Sequence, residues 1–209
     1  MEESSFITEI IQESWSLWSD GGPLMIPLVL LAAFIYFTAF ELYFHFNKGN
    51  YLKVKPESLD DWVAEPKQAQ GEIGHIVDYT QKDLESMADL RTRFEEVRSA
   101  HIPHIDRRIT FLAILVSVAP LMGLLGTVTG MLQTFEGLTK NVGRTIDLIA
   151  SGISEALITT QTGLVIAIPG YVLIYMIVRR RNKLETIFHR LESKSMQKFE
   201  KLFRERSAA

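Results

Sequence analysis

The chain contains no cysteine, so it can form neither a disulfide nor a thiolate metal site. It also lacks any Lys or Arg before Lys48, and it opens on the acidic residues Glu2, Glu3, Glu9, Glu13 and Asp20. A secretory signal peptide begins the opposite way, with positive charge ahead of a short apolar run. Basic residues nowhere form a run suited to nucleic acid, and the formal net charge is only −3, so no nucleic-acid partner is expected. Little apolar sequence remains for a separate soluble core once three long apolar blocks are set aside.

Those blocks decide the class. The sequence is 47% hydrophobic yet 22% charged, and the two kinds of residue are segregated along it. A bilayer-crossing helix needs about 20 mostly apolar residues. The pattern therefore predicts an all-α integral membrane protein with three spans, the second and third extending into the cytoplasm. The expected layout is an N-terminal segment 1–22, a first span 23–46, a helical loop 47–108, a second span 109–135, a polar turn 136–146, a third span 147–178 and a charged tail 179–209.

Within 1–22, residues 5–19 carry a helical apolar period with Trp15 and Trp18, which suits a short helix lying at the membrane interface. Gly21-Gly22 stops it and Pro23 opens the next helix. Glu41, near the end of span one, reads as a headgroup-level carboxylate. In the loop, 72–98 reads as one helix with an uneven stripe of Ile76, Leu84, Met87, Leu90, Phe94 and Val97. In the tail, Leu184, Ile187, Phe188, Leu191 and Leu202 are available for packing. His101 and His104 have ligand-like spacing beside Asp106, but Pro103 separates them and no fourth ligand is evident, so no metal site is expected. No cofactor is expected either.

Basic residues cluster on one side of the spans: Lys48, Lys53, Lys55, Arg107, Arg108 and Arg179 to Arg181. The positive-inside rule then places the N-terminus and the 136–146 turn in the periplasm, with the 47–108 loop and the C-terminus in the cytoplasm.

Polar and small residues within the spans carry the functional information. In span two, Ala119, Gly123, Gly126, Gly130 and Thr134 follow steps of 4, 3, 4 and 4 residues and so share one stripe. Small residues let helix backbones approach closely in lipid, and close packing of spans two and three between protomers is expected. Span three repeats the device with Gly152, Ala156, Thr159, Gly163, Ala167 and Gly170, and adds Glu155. A carboxylate inside a membrane helix costs a few kcal/mol, and such groups are usually paired, hydrated or part of an ion path. Thr159 and Thr162 fall about 40° and 20° from Glu155 around the helix and could extend it into a polar track. A bland alternative is a Glu155 near the outer mouth, bonded to Ser151. Three spans cannot enclose a wet path, so self-association is expected. The spans hold no Ser/His pair, paired carboxylates or HExxH motif, which argues against an intramembrane enzyme.

Two segments, APLMGLLGTVTGMLQTF (Ala119–Phe135) and GISEALITTQTGLVIAIPG (Gly152–Gly170), resemble the second- and third-span signatures of the MotA/TolQ/ExbB family, on its ExbB/TolQ branch. The resemblance is strong over about 100–178 and extends elsewhere in layout only. It implies a pentamer in the bacterial inner membrane whose pore holds an ExbD/TolR-like single-span partner. It also implies proton flow that energises TonB-dependent transport through a TonB-like protein, or a TolQ-type envelope motor; the alternative from another class is a non-conducting membrane scaffold, which has no need of Glu155. Matched position by position, it makes Thr127, Thr160 and Glu155 the pore residues. Periodicity favours Thr159; the resemblance favours Thr160, and Thr159 stays open. One departure is Met176 after Tyr175, where the family often has Asn.

Overall fold

The computed structural model describes residues 21–48, 62–63, 71–82, 84, 86–140 and 145–208. The interfacial helix expected over 5–19 lies outside the described residues. Among these, four helices form: α1 (Met25–Lys48), α2 (Gly71–Gln81), α3 (Met87–Lys140) and α4 (Thr145–Ala208). Three of them, α1, α3 and α4, are long and apolar enough to cross a membrane. At 54 and 64 residues, α3 and α4 each exceed twice the roughly 20 residues that a bilayer requires.

Before α1 the chain turns at Gly22, whose φ of 68° lies in the left-handed region, and the Met25 N–H donates to the Gly22 carbonyl at 3.2 Å. Two expectations need correction. The single helix read over 72–98 is two, because the chain leaves α2 after Gln81 and starts α3 at Met87. The restart is capped: the Asp89 N–H donates to Ser86 Oγ at 3.1 Å. At the end of α2, Arg93 reaches back to the Tyr79 carbonyl at 3.0 Å, and also to that of Lys82. The polar turn read over 136–146 is helical as far as Lys140, and α4 resumes at Thr145. Prolines do not interrupt the long helices either: α3 runs through Pro103 and Pro120, and α4 through Pro169.

The chain divides into two compact units, one of residues up to Ala39 with Leu112–Leu173, the other of Phe40–Phe111 with Ile174–Ala209. In the first unit α3 and α4 run antiparallel with their backbones nearly touching. A Cβ added at Gly163 would stand 2.7 Å from the Ala119 carbonyl oxygen, one at Gly123 2.9 Å from that of Thr159, and one at Gly170 2.9 Å from the Val116 side chain. Gly126 faces the Thr159 side chain, Gly130 the Ala156 methyl, and Gly152 the Thr134 hydroxyl. The small-residue stripe is thus filled by the chain's own α4, where packing between protomers was expected. The reason is local: the connection from Lys140 to Thr145 is short, so α4 folds straight back onto the face that α3 leaves open. Helix α1 joins this pair through the Tyr36 hydroxyl, which donates to the Ile166 carbonyl at 3.1 Å. That bond lies one residue from the carbonyl of Val165, which Pro169 deprives of its helical N–H donor.

The second unit is packed through large apolar side chains. Leu90, Phe94 and Val97 of α3, Ile73, Ile76 and Val77 of α2, and Leu184, Ile187, Phe188 and Leu191 of α4 are all buried. Leu202, expected to pack, is 43% exposed. Around this core Arg181 grips Asp106 through two bonds of 2.7 Å and also pairs with Glu185. Arg98 binds Glu192 at 2.8 Å, and Arg108 binds Glu41 at 2.8 Å. Asp106 and Glu185 raise the proton affinity of the Arg181 guanidinium above its ordinary value, keeping the fork charged. The Arg180 guanidinium lies 3.5 Å from the Tyr43 ring centroid.

The seam yields a paired expectation. Gly163→Ala forces a methyl group into the Ala119 carbonyl and destabilises the protein by roughly 1–3 kcal/mol. Gly137→Ala, at a helical position where an added Cβ meets no atom within 4 Å, stabilises it by about 0.5–1 kcal/mol through helix propensity. Thermal unfolding followed by circular dichroism in detergent compares them. Equal melting temperatures for the two variants would refute the close approach.

Candidate functional site in the helix hairpin

The threonines predicted from sequence occupy distinct positions along α3 and α4. Thr159 is 1% exposed, lies against Gly126, and donates to the Ala156 carbonyl of its own helix at 2.8 Å. Thr160, next to it, is half-buried and donates across the seam to the Gly123 carbonyl at 3.0 Å. Thr127 is also half-buried and donates to the Leu124 carbonyl at 2.7 Å. It follows Gly123 by one helical turn, about 40° round the α3 axis, so it stands on nearly the same side of α3 as the Thr160 contact. Thr162 is half-buried and bonds back to the Ile158 carbonyl at 2.8 Å.

Glu155 lies about one turn before Thr159 and Thr160 in α4. Its side chain is half-buried and lines a cleft of ≈ 170 Å³ with Gly130, Gln133, Thr134, Gly137, Ser151 and Gly152. Three of the lining residues are glycines, and at one of them, Gly137, an added Cβ would meet no atom within 4 Å. Of the lining residues only Glu155 ionises, and Gln133, Thr134 and Ser151 present neutral oxygen or amide groups to it. A carboxylate in such surroundings can hold water or a small cation. The cleft brings Glu155 and Ser151 together, as the bland alternative required, but it adds Gln133 and Thr134 across the seam. The sequence pattern assigns Thr134 only to the packing stripe and gives Gln133 no role, because that role depends on which turn of α4 lies opposite. In sequence Gly22 likewise marks only a helix stop, yet a Cβ there would collide with the Glu155 carboxyl group.

Elsewhere, the residues with ligand-like spacing do other work. The His101 Nδ1 lies 2.9 Å from the Val97 carbonyl, and its ring meets Phe188 edge-on; Asp106 is held by Arg181. Among the described residues no group of three or more His, Asp or Glu side chains is placed to hold a metal ion.

With that geometry in place, comparison with known proteins is decisive. The model of the MotA/TolQ/ExbB proton channel family matches residues 62–190, which includes all of α3 and most of α4. The chain belongs to this family. It is similar to the Tol-Pal system protein TolQ of Haemophilus influenzae, 39% identical over 84 residues, 40% of this chain and 37% of that protein. It is also similar to the putative biopolymer transport protein ExbB-like 1 of Synechocystis sp., 32% identical over 163 residues, 71% of this chain and 64% of that protein. The biopolymer transport protein ExbB of Salmonella typhimurium is 41% identical over 78 residues, 37% of this chain and 32% of that protein. The chain therefore spans between about a third and two thirds of the length of these curated relatives. Relatives of both the ExbB and the TolQ kind match it, so family membership does not choose between the two systems. It does establish a membrane protein of a proton channel family, with the cleft and the threonines inside the matched segment.

The seam makes a direct comparison between the two adjacent threonines. Thr159→Val keeps shape and removes only a bond to its own helix, so the melting temperature changes by the equivalent of less than about 1 kcal/mol. Thr160→Val deprives the Gly123 carbonyl of its cross-helix donor and costs more than the Thr159 variant. A larger loss at Thr159 would reverse this assignment.

Proposed function

We propose that this chain is the channel-forming subunit of a proton-driven motor in the bacterial inner membrane. Several copies, a pentamer in our reading, surround an ExbD/TolR-like single-span partner, and the assembly energises TonB-dependent transport across the outer membrane. The observation that carries this reading is Glu155, a carboxylate set in a polar cleft within the membrane hairpin of a proton channel family. A helix hairpin needed only for packing gains nothing from a charge there. Thr127 and Thr160 add hydroxyls at the edge of the seam, where partner or water can reach their remaining lone pairs. Matches to both kinds of relative keep a second reading, the TolQ-type envelope motor, which has the same ion chemistry and a different partner.

The reading predicts that Thr127→Val and Thr160→Val each abolish proton flux while leaving oligomer size unchanged. Glu155→Ala cuts flux as well, and Glu155→Gln retains part of it if hydrogen bonding is the main role. Flux is read as dye-reported acidification of vesicles reconstituted with the chain and its co-purified partner. Full flux in both threonine variants would return these residues to helix packing. Identifying the co-purified partner by mass spectrometry separates the ExbD from the TolR system.

Orientation is part of the same proposal: N-terminus in the periplasm, C-terminus in the cytoplasm. Because the native chain has no cysteine, single cysteines at Ser4, Lys140 and Ser207 can be labelled cleanly in intact cells. Ser4→Cys and Lys140→Cys react with a membrane-impermeant maleimide from outside, and Ser207→Cys does not. Protection of Ser4→Cys would invert the topology.

A further inference from the structure

Two separate demands meet at Gly22. Its φ of 68° favours glycine on conformational grounds. Independently, any side chain would run into the Glu155 carboxyl group. Gly21 shows the same tightness, since a Cβ there would stand 3.1 Å from Ile158 Cγ2. The turn ahead of α1 is therefore laid flat over residues 155–158 of α4. Starting α1 does not require this: Pro23 and the Met25 bond to the Gly22 carbonyl would serve over any surface. What lies beneath the turn is the one ionisable side chain of the cleft.

We propose that Gly22 is a positioning residue for Glu155. Its bare backbone closes one side of the carboxyl group and confines it to the cleft formed by Gln133, Thr134 and Ser151, where water or a small cation meets it. Gln133 and Ser151 then line the ion's access to Glu155. This rests on the reading that Glu155 belongs to the ion path. It adds that the segment before α1 acts on ion transfer as well as on anchoring that helix. A carboxyl displaced by a methyl group cannot keep its place, and misplacement on the order of 1 Å at a reacting group can cost up to about a hundredfold in rate.

The test uses the full chain with its co-purified partner in vesicles. Gly22→Ala should lower proton flux at least about tenfold with oligomer size unchanged. Glu155→Asp, shorter by one methylene, leaves room for the added methyl group, so Gly22→Ala/Glu155→Asp should conduct several-fold better than Gly22→Ala alone. A merely structural glycine predicts no such rescue. If Gly22→Ala does not assemble, Gly22→Ala/Glu155→Ala decides: restored assembly assigns the defect to the carboxyl contact, and continued failure assigns it to backbone strain and overturns the proposal. Unchanged flux in Gly22→Ala, in a preparation where Glu155→Ala has lost flux, also overturns it. Full flux in Glu155→Ala would instead sink the ion-path reading itself. Independently, Gln133→Cys and Ser151→Cys should react with a small charged thiol reagent, and Thr159→Cys, buried in the seam, should not. Equal protection of all three would show the cleft to be dry and refute the access route.

Discussion

Everything in the membrane unit depends on how closely α3 and α4 approach. In lipid the hydrophobic effect does not drive helices together, because acyl chains are as apolar as leucine; contact area and polar bonds must do it. Contact is greatest where side chains are smallest, and here the glycines bring backbone against backbone, to the point where a single methyl group at Gly163 would meet a carbonyl oxygen. The same closeness fixes what the polar groups can do. Thr159 is sealed in the seam, whereas Thr160, one residue on, is turned to its edge and still spans the gap to Gly123. At its end the stripe still brings Gly130 and Gly152 together, and beside them opens the cleft that contains Glu155.

The other unit shows the same two helices solving a different problem. Its contacts are large apolar side chains, and its polar groups are ion pairs such as Arg181 with Asp106 and Arg98 with Glu192. In water the burial of such bulk drives helices together, whereas in lipid bulk at the interface separates them. Along each helix the code of contact residues changes from small ones to Leu, Ile and Phe. That change explains how helices of 54 and 64 residues can belong to two compact units.

That code is why so much was legible in the sequence. Three apolar blocks specify three spans, and the period of Gly123, Gly126 and Gly130 specifies one packing face, both from local spacing alone. The partner of that face was not legible, since a glycine stripe is equally suited to a neighbouring copy and to the next helix of the same chain. Nor was the break between α2 and α3, because the apolar stripe through Leu84 and Met87 continues across it and only the cap on Ser86 shows the restart. Angle around the helix points to Thr159, and the family resemblance to Thr160. Choosing between them needs the register of α3 against α4, which is tertiary information. Gly22 illustrates the same limit: a Gly-Gly-Pro sequence announces a turn, but what the turn covers lies more than a hundred residues away.

The hydroxyls of the hairpin bear on how polar groups are held stably in a membrane unit. Thr127, Thr129, Thr134, Thr159 and Thr162 each donate to a carbonyl of their own helix, and Thr160 donates to Gly123. Each proton that would be costly to leave unbonded in a low-dielectric medium is therefore satisfied within the chain. Each oxygen nevertheless keeps acceptor capacity. At Thr127 and Thr160, which are half-buried where Thr159 is closed off, that capacity can be met by a donor arriving from outside the chain, whether water or a protonated acid. The surface beside them is apolar, with Leu121, Leu124, Leu125 and Val128 of α3 and Leu157 and Leu164 of α4 all exposed in the single chain. An apolar surface can be left to lipid or covered by another helix, but an accepting hydroxyl gains from a donor only where lipid is excluded. On the proposed function, the hairpin folds by itself while the ion path is shared, and a covering helix would lie along the edge of the seam where Thr160 stands.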